Sequence, residues 1–94
     1  MIQCNPAEEP VPFPLGQIVV DRSSTRRLSP EDVIPALTRH IFGDWGRVGK
    51  RRQEANEKAL REKQPLCSMY FSSDGVRFRI ITNAARSLTT VKAS

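Results

Sequence analysis

The stretch LCSMYFSSDGVRFRIIT, residues 66–82, constrains the fold more than any other part of the chain. Two runs rich in aromatic and β-branched residues flank SSDG, and Asp-Gly is a strong hairpin signal. Side chains alternate faces along a strand. In the first run Cys67, Met69 and Phe71 therefore share one face and Leu66, Ser68 and Tyr70 the other. In the second run Val76, Phe78 and Ile80 share a face, and Arg77, Arg79 and Ile81 point the opposite way. Guanidinium groups at every second position mark a sheet with one dry face and one wet face. NAARS then turns the chain, and LTTV (residues 88–91) reads as a further strand.

Upstream, LGQIVVDR reads as a first strand, with Ile18, Val19 and Val20 β-branched. SPEDVIPALTRHIF reads as a helix. Ser29 can cap it, Pro30 suits its first position, and Glu31 and Asp32 complement the positive end of its dipole. Pro35 conflicts with that start, because an interior proline costs about 3 kcal/mol. The conflict favours a bent helix, or a late start capped by Asp32. Gly43 supplies the left-handed stop. A second helix runs from about Lys50 to Lys63, with Ala55, Ala59 and Leu60 as a narrow apolar stripe and Pro65 as its end. Asn56 lies beside that stripe, placed to hydrogen-bond a strand end. The expected fold is α+β: an N-terminal strand, two helices, then an antiparallel three-stranded meander, with both helices packed on one sheet face.

Four prolines among residues 6–14 favour extended, solvated backbone, so residues 1–14 read as a disordered proline-rich tail and 15–94 as one domain. Two cysteines are too few for a disulfide framework. Cys67 lies in an apolar run and is expected to pack as a small buried hydrophobe. No targeting signal or membrane-length apolar run is visible, and a cytoplasmic location is expected.

The net charge is +5, and it is patchy: residues 47–63 hold seven basic and three acidic side chains. Lys50 and Arg51 begin this run, which could neutralise phosphates or form a solvated helix face. Arg77, Arg79 and Arg86 form a second basic group, and Tyr70 is the aromatic expected to stack on a base.

HIFGDWGRV, residues 40–48, holds the only histidine and the only tryptophan. An aspartate one helical turn from His40 could hold one tautomer, raise its pKa and make it a general acid or base. Trp45 just past a helix stop reads as a core anchor, with Gly43 and Asp44 beside it in structural roles. With no second histidine and no CxxC, no metal site is expected. No phosphate-binding glycine loop is present, and no cofactor is implied.

The blocks PLGQIVV, RHIFGDWG and IITNAARSLTT stand in an order that resembles a family of small uncharacterised bacterial and plasmid-associated proteins. Their pattern runs LGQIV, HxxGDWG and IITxAxRSxTT. The resemblance implies an aromatic near the Phe78–Arg79 position and a LLPxxY-type ending, where this chain has Arg79 and VKAS. A fainter similarity is to the metal-independent ribonucleases and toxins of the barnase, EndoU, colicin and RelE-like group. It implies His40 as acid or base, Arg86 as phosphate clamp, Tyr70 as a base stacker, and Thr89 or Thr90 on the phosphate.

Two functions are therefore expected: an RNA-binding or ribonuclease-like module, or a non-catalytic protein-interaction module of a plasmid or mobile-element system. A monomer or weak dimer suits both.

Overall fold

The computed structural model describes residues 11–93. Strand β1 (Gln17–Val20) is followed by helices α1 (Pro30–Ile41) and α2 (Lys50–Glu62), then by strands β2 (Leu66–Phe71), β3 (Arg77–Thr82) and β4 (Leu88–Ala93). The class is α+β, with one four-stranded sheet in the order β1-β4-β3-β2. Strands β2, β3 and β4 form the antiparallel meander, and β1 adds in parallel to the free side of β4. The sheet is therefore mixed.

The β2–β3 hairpin turns through three residues. The Ser72 amide donates to the Val76 carbonyl and the Gly75 amide to the Ser72 carbonyl. Gly75, at φ +81°, supplies the left-handed position that such a loop requires. This fixes the register: Tyr70 lies opposite Phe78, Phe71 opposite Arg77 and Met69 opposite Arg79.

Two apolar clusters fill the inner face. Under α1, Leu28, Val33 and Ala36 pack on Tyr70, Phe78, Ile80 and Val91. Under α2, Ala59 and Leu60 pack with Phe13, Trp45 and Leu66. Phe13, expected within a proline-rich tail, belongs instead to this core. Phe13 is 2% exposed, and its amide donates to the Ile41 carbonyl. An aromatic with an apolar pocket to fill outweighs the local preference of its flanking prolines for solvent. Residues 1–10, including Cys4, lie outside the described residues.

Helix α1 begins at Pro30 and does not start late: Pro35 sits inside it. Pro35 is on the solvent side, where the Glu31 carbonyl that loses its amide partner can turn to water. Gly43, at φ +83°, follows the helix end. In α2 the buried stripe is Asn56, Ala59 and Leu60, and Ala55 is exposed. Cys67 is half-buried on the outer face, not in the core, because its parity on β2 is that of Met69 and Phe71.

The two sheet edges differ. Antiparallel pairing points the backbone of Cys67 and Met69 outward from β2. The Asn56 side chain accepts from the Cys67 amide at 3.2 Å and donates to its carbonyl at 2.8 Å, standing in for a strand residue. The Met69 amide donates to the Trp45 carbonyl, and its carbonyl accepts from the Arg47 amide at 2.7 Å. The β2 edge is closed by these bonds.

Candidate functional site

His40 lies in a polar seam between the two apolar clusters and is fully buried. The rings of Phe13 and Trp45 meet it edge-on, at centroid distances of 5.2 and 5.7 Å. Its Nδ1 is hydrogen-bonded to Ser68 Oγ and its Nε2 lies 2.9 Å from Thr82 Oγ1. Thr82 Oγ1 is 2.8 Å from Thr89 Oγ1, and the Thr89 hydroxyl donates to the Leu15 carbonyl at 2.8 Å.

This chain of bonds has only one consistent proton order. A carbonyl only accepts, so the Thr89 proton goes to Leu15. Thr82 must then donate to Thr89, which leaves His40 Nε2 to donate to Thr82. Neutral His40 carries its proton on Nε2, and Nδ1 accepts from Ser68. Burial, reinforced by the Arg86 guanidinium, pushes the His40 pKa down to about 4. Asp44 does not raise it, because that carboxylate is engaged by Arg39 at 2.8 Å. His40 is therefore a structural hub tying α1 to β2, β3, β4 and the segment before β1, and its side chain is closed to solvent.

A titration follows from this burial. A folded-state pKa below the ordinary 6.5 means that the unfolded chain takes up a proton which the folded chain refuses. The His40 contribution is fully present above pH 6.5 and is lost as pH falls toward 4. The expected loss across that window is on the order of 3 kcal/mol, at about 1.4 kcal/mol per pKa unit. Urea unfolding at pH 7.5 and at pH 4.5 checks it. His40→Gln, which has no proton to gain, is expected to be less stable at pH 7.5 but flatter across the window.

Several other expected site residues are also structural. Tyr70 is buried, and its hydroxyl donates to the Asp44 carbonyl. Burial pushes its pKa up to about 12, and its parity places it inside, so it does not present a stacking surface. Arg86 is buried at φ +57°. Its guanidinium donates to the carbonyls of Gln64 at 2.7 Å, Asn83 at 3.0 Å and Ala59 at 3.2 Å, and it lies over the Phe13 ring. It caps the end of α2, where a cation meets the negative end of the dipole, and is not a phosphate clamp. Thr89 is consumed by the His40 chain. Trp45 is buried, with its indole donating to Glu57 at 3.1 Å. Lys50 and Arg51 stand exposed at the start of α2, on a separate element from the basic part of the sheet.

The open sheet face is where exposed chemistry gathers. Arg77 and Arg79 both project from it, two residues apart on β3. Lys92 of β4 is paired with Arg79, and half-buried Thr90 with Ile81. Directly paired residues lie about 5 Å apart, and i,i+2 neighbours about 7 Å apart. Three cations therefore occupy one patch. Phe71 is the cross-strand partner of Arg77 and is 48% exposed, with the Arg47 guanidinium 5.5 Å from its ring centroid. Met69, Ile81 and Cys67 fill the patch between these groups at intermediate exposure. Residue alternation had pointed to Arg77 and Arg79, and the ribonuclease resemblance to Thr89 or Thr90. Phe71, Lys92 and Arg47 were missed, although correct hairpin parity would have found Phe71.

Among the described residues no group of three or more His, Cys, Asp or Glu side chains is placed to hold a metal ion. No helix among them is long and apolar enough to cross a membrane. The chain matches no protein-family model, and comparisons with curated proteins and with solved structures find no similar protein.

Proposed function

We propose that the protein binds single-stranded RNA across the open face of its sheet, without catalysis. The observation that carries this reading is the juxtaposition of Arg77, Arg79 and Lys92 with a half-exposed Phe71 on one uncovered face. Cations spaced about 5–7 Å apart follow a phosphate backbone, and an aromatic beside them offers a stacking surface to any base. Arg47, already over the Phe71 ring, adds a guanidinium plane on which a base can also stack. The sealed position of His40 removes the general acid or base that a ribonuclease reading needs, so binding is preferred to turnover.

A fluorescein-labelled twelve-residue oligouridine, titrated at several salt concentrations, tests the reading. Three phosphate contacts on a single strand give a slope of log K against log salt of about −2. Absence of binding at low salt, or a slope near zero, contradicts it.

A further inference from the structure

The second sheet edge, unlike the first, is left open by the described residues. The Gln17 and Asp21 amides donate to the carbonyls of Ser87 and Val91, so the parallel ladder turns the N–H and C=O of Ile18 and Val20 away from β4. Those four groups meet no partner among the described residues. The edge strand, QIVV, carries no charge and no proline, two of the devices that blunt such edges, and its Ile18 and Val19 are 46% and 40% exposed.

Beside this edge runs an apolar groove of about 290 Å³ between β1 and α1. Ile18 and Val20 form one wall, Val33, Ile34 and Leu37 the other, with Leu28 at the end. Ile18 is 46% exposed and Ile34 61%. Just past Val20 the 21–27 turn forms a depression lined by Arg22, Arg26 and Arg27. Among the described residues none of these arginines forms an ion pair. The carboxylate there, Asp21, already accepts from Ser23 Oγ at 2.5 Å and faces Lys92.

We propose that the β1 edge is a docking site for an acidic peptide segment of a partner protein, added as a fifth strand. The unpaired backbone of Ile18 and Val20 supplies main-chain bonds, and the groove takes an aliphatic side chain at alternate positions. The charge complement selects the occupant. Three guanidiniums beyond Val20, with no ion pair among the described residues, call for carboxylates at the end of the peptide lying there, and they repel a second copy of this basic chain. The site shares no residue with the sheet-face patch and does not depend on the nucleic-acid reading.

Fluorescence anisotropy with synthetic peptides tests this. The probe is an acetylated, amidated peptide of alternating leucine and threonine with two glutamates at each end. It is expected to bind saturably and to shift the amides of Ile18 and Val20. Three changes are each expected to weaken binding at least about tenfold. They are lysine for glutamate in the probe, N-methylation of alternate peptide amides, and R26E/R27E in the protein. The double variant changes exposed side chains only, and it is expected to gain affinity for the lysine probe. No binding up to about 1 mM, or affinity indifferent to N-methylation, overturns strand addition. A dimer through this edge in sedimentation, or displacement of Ile18 and Val20 amide signals by oligouridine, assigns the edge to another occupant and equally overturns the proposal.

Discussion

Reversing two charges on the open sheet face, R77E/R79E, is expected to lower affinity for a twelve-residue oligouridine by at least about 100-fold at low salt. A charge-assisted hydrogen bond contributes about 1.5–3 kcal/mol, and two are removed, so a loss near 3 kcal/mol is the conservative figure. The salt slope is expected to flatten at the same time, because the lost contacts are the ones that release counterions. The fold is expected to survive. Both arginines are exposed, and a glutamate at 79 would lie opposite Lys92, an attractive cross-strand pair. Phe71→Ala separates the two parts of the surface. Stacking contributes about 1–3 kcal/mol per base, so affinity falls while the salt slope stays as it was. Anisotropy titrations of the three proteins, with urea unfolding as the fold control, check this. An R77E/R79E variant that binds as the parent does places the site elsewhere.

Gly46→Ala is expected to cost about 3–4 kcal/mol, most of the stability of a domain this small. Gly46 sits at φ +74°, where a side chain strains the backbone by about 1–2 kcal/mol. A Cβ there would also lie 2.1 Å from the Met69 carbonyl oxygen and 2.6 Å from the Tyr70 ring. Neither neighbour can yield: Met69 is held in two strand-like bonds to residues 45 and 47, and Tyr70 is core. Overpacking of this kind adds about 1–3 kcal/mol. A domain of roughly 80 residues has on the order of 5 kcal/mol to lose. Gly75→Ala is the matched control. It has a similar φ of +81° but open space around the new methyl, so only the backbone strain remains, about 1 kcal/mol. Urea midpoints of the two variants measure the difference.

The β-hairpin, both helices and the meander were legible because their signals are local. Alternation, an Asp-Gly turn, Pro30 at a helix start and Gly43 at its end each act within a few residues. The face of Tyr70 was not legible, because it depends on one residue of loop length. A two-residue Asp-Gly turn would pair Ser73 with Val76 and set Tyr70 opposite Arg79. The three-residue loop observed sets Tyr70 opposite Phe78, and a one-residue change of register swaps every side chain between faces. That single parity exchanged Tyr70 for Phe71 in the candidate site. Arg86 and Thr89 were misjudged for a different reason. Their partners are Ala59, Gln64 and Leu15, distant in sequence, and nothing local distinguishes a guanidinium aimed at helix carbonyls from one aimed at phosphate. Asn56 shows the opposite case, since a lone amide beside an alanine stripe was enough to point toward a strand, where it now closes the β2 edge.

Residue-resolved titration of isotope-labelled protein with oligouridine addresses the sheet-face site most directly. Binding there shifts the amides of Phe71, Arg77, Arg79, Thr90 and Lys92 in a saturable, salt-sensitive way, and leaves those of His40, Ser68 and Thr82 in place. Shifts confined to Lys50, Arg51 and their neighbours on α2, or no shifts at low salt, would contradict it.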